Sequence, residues 1–198
     1  MTNDILELTK NSFLIESKAI TDTGENMDWV AFEKAVSLLA QAERIATSGC
    51  GHSGIACMHF AHSMCCVEKP ARFISPAEAT HGATGFLQAG DVLVLASRGG
   101  KTAELLPIID IAKTKSVSII SVTENLSSPM AQSSDVTLPM KVYKEADRYN
   151  AQGTSSFVAL SAVFDALQVA VMEITGYRGE QLALIHPGGA VGERLNKK

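Results

Sequence analysis

The 198-residue chain is 46% apolar and 19% charged, with a formal net charge of −4, proportions of a globular protein with a buried core rather than of a disordered one. The acidic balance excludes a binder of nucleic acid or anionic membrane by bulk charge, so an anionic ligand must be held by local geometry. The N-terminus lacks a signal peptide's basic start, no stretch reaches the roughly 20 apolar residues of a membrane span, and Cys50, Cys57, Cys65 and Cys66 suit reduced cytosolic thiols, so a cytoplasmic protein without a membrane partner is expected.

In chain order, the pattern predicts helices over 3–20 and 28–43, together an N-terminal helical arm (about 1–43), with Thr21-Asp-Thr-Gly-Glu-Asn26 as the loop between. Asp28 can cap the second helix, and Trp29, Phe32, Val36 and Leu39 recur at helical spacing. A strand follows over Arg44–Ser48, then a helix from Ser53 to about Val67, a short strand at Ala71–Ser75 and a polar loop over Pro76–Gly85. Val92–Ser97 is continuously apolar, as a parallel strand covered on both faces should be. Thr102–Thr114 is its helix, and Val117–Val122 and Val136–Met140 are the last two strands. The final long helix runs from about Ser155 to Thr175, striped by Phe157, Leu160, Phe164, Leu167 and Val171, with Gly176 where a helix C-terminus favours glycine. This alternation predicts an α/β fold, a doubly wound five-stranded parallel sheet flanked by helices, in one domain over 1–198.

Two loops stand at the carboxyl edge of that sheet, Gly49-Cys-Gly-His-Ser-Gly54 and Ser97-Arg-Gly-Gly-Lys-Thr102. Each meets a predicted helix N-terminus, where free amides and the helix dipole favour an anion, and two such loops suggest a phosphorylated ligand gripped between them. The first loop has G-x-G-x-x-G spacing but no acidic residue about 20 positions on, since the next strand ends Phe73-Ile-Ser-Pro76. Gly99-Gly-Lys-Thr102 lacks the first glycine of a Walker loop, so no nucleotide or redox cofactor is expected. Ser53, Ser97 and Thr102 are either caps or phosphate contacts, and Thr154-Ser155-Ser156 is a cluster of the same kind. His59, His62 and Cys66 share a helical spacing but lack a completing carboxylate or C-x-x-C pair, so packing explains them and no metal is expected. His52, His81 and His186 lie in glycine-rich loops, where side chains are displayed rather than packed. Glu104 is explained by dipole compensation in a first helical turn. Glu145, in the charged run Lys144-Glu-Ala-Asp-Arg148, is either part of a solvated loop or a general base.

Five ordered blocks together resemble the sugar isomerase (SIS) domain family, and within it the arabinose-5-phosphate isomerases: Ser48–Gly54, Pro76–Gly82, Ser97–Thr102, Gly153–Ser156 and His186–Gly192. The resemblance implies a flavodoxin-like sheet, a phosphosugar ligand, a role in carbohydrate metabolism, and a homodimer or homotetramer with sites shared between subunits. It implies that Ser97 and Thr102 hold the phosphate with Ser53 and Ser156 close by; Gly51, Arg98, Gly99, Thr154 and Ser155 complete the candidate binding set. An aldose–ketose interconversion through an enediolate is then expected. Glu145 is the candidate base, provided that it is partly desolvated with its pKa raised. His186 is the candidate for ring opening or proton shuttling, His81 for positioning, and His52 or Lys101 for positive electrostatics. The chain departs from the isomerases at His52, where they have lysine, at Ser97-Arg-Gly-Gly-Lys101, where they have S-N-S-G-E, and at Ala83-Thr84, where Asp-Leu is usual. It stops at Lys198, so the tandem nucleotide-sensing CBS pair common in those isomerases is not expected. Lys101 and Gly99 favour an alternative reading as a noncatalytic phosphosugar-binding or regulatory protein; an isomerase of a hexulose or heptulose phosphate is a third.

Overall fold

The computed structural model describes residues 2–196; Met1, Lys197 and Lys198 lie outside them. The chain opens with α1 (Asn3–Glu25), which runs through most of the loop expected at 21–26. Tertiary bonds override local composition there: Thr23 is buried, and its hydroxyl donates to Lys141 O and accepts from Lys141 N, each at 3.1 Å. Next is α2 (Trp29–Gln41), capped as expected by Asp28, whose Oδ1 accepts the amides of Val30 and Ala31 at 3.0 Å. Phe32, Val36 and Leu39 turn inward, whereas Trp29, expected in the same stripe, is 59% exposed.

The remaining elements are β1 (Ile45–Gly49), α3 (Gly51–Cys66), β2 (Ala71–Phe73), α4 (Pro76–Ala79), a 3-10 turn at Ala83–Phe86, β3 (Val92–Ala96), α5 (Leu106–Thr114), β4 (Ser118–Thr123), α6 (Pro129–Gln132), β5 (Val136–Pro139), α7 (Ser155–Thr175), α8 (Gly179–Ile185) and α9 (Gly189–Asn196). Two helix starts differ from expectation. α3 begins at Gly51 rather than Ser53, and α5 begins only at Leu106 rather than Thr102. Thr102 instead closes a tight turn, its carbonyl accepting from Leu105 N at 3.0 Å, and Pro107 then sets the helical φ of the first turn of α5. Glu104 accordingly precedes the helix instead of sitting inside its first turn. The helices α8 and α9 after Gly176 were not expected from the pattern, and Gly176 itself ends α7 in the left-handed region at φ +66°.

All strands are parallel in the order β2-β1-β3-β4-β5, the flavodoxin-type winding. Within β3, Val92, Val94 and Ala96 join the apolar layer under α2, α3 and α7, while Leu93 and Leu95 face the layer under α5. One expectation needs correction. α7 is long and apolar enough to cross a membrane by length and composition, but its Leu160, Phe164, Leu167 and Val171 are packed in the core, Phe164 stacked on Phe60 of α3 at 4.5 Å. The order of strands reverses between β1 and β3, so the loops leaving their carboxyl ends flank a crevice. Gly49 pairs with Ala96 at that end. This is the place where open parallel sheets receive ligands.

Candidate functional site

The β1–α3 turn is built for close approach. A Cβ on Gly54 would lie 2.6 Å from Gly49 O, one on Gly49 would lie 3.0 Å from Gly54 N, and Gly51 has φ +55°. Cys50, at the N-cap of α3, makes no capping bond through its side chain. The first amides of this helix are therefore presented to the crevice. Burial pushes the Cys50 thiol pKa up, and Glu104 adds to that rise. Both residues line a cleft of about 330 Å³ together with Gly49, Gly51, Phe73 and Ser75.

Across the switch point, the 97–102 loop closes on itself. Ser97 Oγ lies 2.8 Å from Thr102 Oγ1 and accepts Gly100 N at 3.1 Å. Gly100 has φ +64° and a Cβ there would run into the Ser128 side chain, so only glycine fits. The two hydroxyls expected to hold phosphate thus share one tight loop, and Thr102 is not a cap of α5. Lys101 is exposed, and no hydrogen bond or ion pair of its side chain occurs among the described residues.

Glu145 lies where the chain turns into α7. Its side chain is 2% exposed and both oxygens are engaged. Oε1 accepts Arg98 Nη1 at 2.7 Å; Oε2 accepts Thr154 N at 2.9 Å, Ser156 N at 3.1 Å and Thr154 Oγ1 at 3.2 Å. Burial alone would raise the carboxyl pKa, but the Ser156 and Thr154 donors and the Arg98 guanidinium outweigh it, and the net direction is down. The carboxylate is desolvated as expected, while the accompanying rise in pKa is not found: the donors stabilise the charge more than burial penalises it. The surrounding run is a folded turn, not a solvated loop. Asn150 Oδ1 accepts Glu145 N at 2.6 Å, and Asp147 gathers the amides of Tyr149, Ala151 and Gln152. Ser155 is fully buried and its hydroxyl has no partner among the described residues.

Arg98 joins these two parts. Beyond Glu145, its Nε donates to Glu124 Oε2 at 2.5 Å and its Nη2 to Val142 O at 3.1 Å, while Glu124 Oε1 accepts Val142 N at 2.6 Å. Glu124 escaped the reading of the sequence. Its only signal there is its place at the carboxyl end of a parallel strand.

The three loop histidines separate. His52, in the first turn of α3, packs its ring against Gly153, where a Cβ would meet it at 3.0 Å, and stands edge-on to Phe157 at 6.3 Å. His81 is exposed in the turn after α4, its amide bonded to Glu78 O and its ring without a partner among the described residues. His186 sits between α8 and α9, with Nδ1 3.2 Å from Gly188 O. That segment is tethered to the far end of α3, through Tyr177 Oη to Cys66 O at 2.7 Å and Gln181 to Glu68. Within one chain the segment leading into α8 is thus held at the C-terminal end of α3, and among the described residues the His186 ring bonds no residue of the crevice. The fold brings Gly51, His52 and Ser53 to the crevice beside Ser97, Arg98, Gly99, Lys101 and Thr102. The same edge carries Glu145, Thr154, Ser155 and Ser156, but His186 is not among them. His59 and His62 have separate neighbours, Asp165 at 3.4 Å and Cys66 at 3.6 Å, and no group of three or more potential ligands forms among the described residues.

A family model of the SIS domain matches residues 38–170. The arabinose 5-phosphate isomerase KdsD of Pseudomonas aeruginosa is 36% identical over 165 residues, 83% of this chain and 51% of its own. The arabinose 5-phosphate isomerase GutQ of Salmonella typhimurium is 32% identical over 196 residues, 98% of this chain and 61% of its own. The chain therefore spans between about half and three-fifths of the length of these curated relatives. Among solved structures, a candidate sugar-phosphate isomerase of Listeria monocytogenes superposes with a TM-score of 0.91 at 40% identity, covering 95% of this chain and 100% of that one. An Escherichia coli protein in complex with arabinose 5-phosphate superposes with a TM-score of 0.88 at 28% identity, covering 94% and 100%.

Proposed function

The chain belongs to the SIS domain family, and from that membership we propose that it is a phosphosugar isomerase interconverting an aldose phosphate and a ketose phosphate. One observation carries the reading: the Ser97–Thr102 hydroxyl loop and the uncapped start of α3 face one crevice at the topological switch point. A phosphate held there would anchor the substrate remote from its carbonyl and convert binding energy into orientation of the reacting carbons. The reaction moves one proton from the carbon beside the carbonyl to its neighbour through an enediolate, and uses no electron acceptor. Arabinose 5-phosphate is the first substrate to offer, because similar proteins carry that activity and that ligand in their names. For the ring-opening step, His186 must be delivered by a second copy of the chain. Leu184, 77% exposed beside it, and Phe13, 73% exposed on α1, supply apolar surface for assembly.

The experiment is proton NMR in deuterated water with a panel of pentose, hexose and heptose phosphates. Loss of the proton beside the carbonyl, with the partner sugar appearing, is expected for one of them. A second reading, a phosphosugar binder without catalysis, is favoured by Arg98, which neutralises Glu145, and by Gly99 and Lys101 in place of the isomerases' serine and glutamate. Thermal stabilisation by a phosphosugar with no exchange of its proton would select it.

A further inference from the structure

The two oxygens of Glu145 are not equivalent. Oε2 is filled by three donors of the 154–156 segment, whereas Oε1 accepts a single bond, from Arg98 Nη1 at 2.7 Å. A carboxylate oxygen has room for two hydrogen bonds, so Oε1 alone keeps a lone pair for a proton. The guanidinium and the 154–156 donors together fix the plane of the carboxylate. Arg98 is itself held on two further sides, by Glu124 Oε2 at 2.5 Å and by Val142 O at 3.1 Å, and Glu124 is held in turn by Val142 N at 2.6 Å. A planar fork gripped on three sides has one orientation. Arg98 also follows Ser97 in the loop whose hydroxyls meet at 2.8 Å, and its carbonyl accepts Thr123 Oγ1 at 2.9 Å and Glu124 N at 3.1 Å. The loop proposed to hold phosphate thus carries the group that aims the carboxylate.

One guanidinium serves two carboxylates in this cluster. With both ionised the cluster has an excess of negative charge, and a proton on Glu145 leaves Arg98 and Glu124 as a matched pair. We propose that Arg98 and Glu124 are positioning residues for Glu145: Arg98 aims Oε1 as the proton acceptor and fastens it to the phosphate loop, and Glu124 holds Arg98 while Glu145 carries the proton. The inference rests on the isomerase reading above. In the step, Oε1 takes the proton from the carbon beside the carbonyl. The C–H electron pair becomes the carbon–carbon double bond, and the carbonyl oxygen takes the charge. The carboxylic acid then returns its proton to the neighbouring carbon while the hydroxyl proton passes between the two oxygens, leaving Glu145 ionised. The other titratable groups around Glu145 are Lys144, Asp147 and Arg148 of its own turn and Lys18 of α1, which line one cleft with it, and His52 of α3, packed against Gly153. Arg98 supplies the charge that lowers the Glu145 carboxyl pKa.

The test follows solvent exchange of the substrate proton, kcat and KM from pH ~4 to ~9 in the wild type, Arg98→Met, Arg98→Lys and Glu124→Gln. Thermal stabilisation by the phosphosugar checks folding and binding. Arg98→Met is expected to lower kcat at neutral pH about tenfold or more through a misaimed base and to leave KM within about threefold. It should also move the acid limb of the kcat profile to higher pH, because the charge that favours the carboxylate is gone. Glu124→Gln is expected to move that limb to lower pH, because Arg98 then faces Glu145 alone. Arg98→Lys should restore the limb but not the full kcat, since an ammonium lacks the planar fork. A merely structural role would not move the limb in opposite directions. An acid limb unmoved in folded, ligand-binding Arg98→Met, or moved the same way by Arg98→Met and Glu124→Gln, overturns the proposal and leaves the isomerase reading standing. If Arg98→Met does not fold, the direction of the Glu124→Gln limb decides it. A wild type that exchanges no proton from any phosphosugar refutes the isomerase reading and the proton step together. The clasp is then judged by carboxyl-carbon NMR titration of Glu145: opposite displacements in Arg98→Met and Glu124→Gln sustain it, and any other result ends it.

Discussion

At the scale of single residues, the carboxylate at 145 joins charge, burial and loop order. Its lowered pKa makes a signed prediction about stability. The contribution is fully present above the unfolded-chain value of about 4.3 and is lost as the pH falls through the lower folded value. Replacing the carboxylate by an amide removes a charged partner of Arg98, which keeps Glu124, so a cost of about 2 kcal/mol is expected at neutral pH. Urea unfolding of wild type and Glu145→Gln at a series of pH values should show a constant gap from pH ~7 to ~5 that closes below pH ~4. A gap that widened on acidification would mean a raised pKa and contradict the hold of Arg98 on Glu145. The sequence singles out Glu145 as a candidate at this scale. What was not legible was how it is held, because its partners lie 47 residues upstream in Arg98 and up to 11 residues downstream in Ser156, and no local pattern records pairings across the fold.

Among the elements, those with strong periodicity were readable: the strands, the cap of α2 and the body of α7 all follow from spacing and capping chemistry. The C-terminal end of α1 and the start of α5 were not, because a buried threonine bond to Lys141 extends one helix and the 102–105 turn delays the other. That delay matters to the site. It leaves the 97–102 loop closed by its own hydroxyls, where a helix starting at Thr102 would have used one of them as a cap. The loop depends on Gly100, at φ +64° against the Ser128 side chain. Gly100→Ala is expected to cost more than about 1 kcal/mol, since alanine is strained at positive φ and also meets a neighbour. It should weaken phosphosugar binding more than it lowers kcat. Calorimetric titration with the phosphosugar checks this, and unchanged affinity in the folded variant would detach the loop from the phosphate. Gly54→Ala, with its Cβ 2.6 Å from Gly49 O, should push the start of α3 off β1 and weaken binding by the same route.

For the molecule as a whole, the proposed isomerase makes assembly the point to test. His52 follows the carboxyl end of β1, while the segment leading into α8, ahead of His186, is held at the C-terminal end of α3 through Cys66 and Glu68. The chain also leaves Phe13, Trp29, Val30 and Leu184 at 59% exposure or more, apolar area of the kind that marks contact with another molecule. The five sequence blocks made His186 visible but not its address, because α8 and α9 follow Gly176 without a periodicity that fixes where they fold. If a crevice is completed by His186 of another copy, His52→Gln and His186→Gln are each inactive alone. Mixed after reversible dissociation, they should regain activity, because some crevices then combine an intact His52 with an intact His186. For a dimer with two crosswise sites and random pairing, half the molecules are mixed, and each of these holds one intact site, so about a quarter of wild-type activity is expected. If instead each site uses both histidines of its own chain, mixing restores nothing. Leu184→Glu offers the independent arm: it should lower the oligomeric state in sedimentation and the activity together, and an active monomer would place His186 outside the reaction.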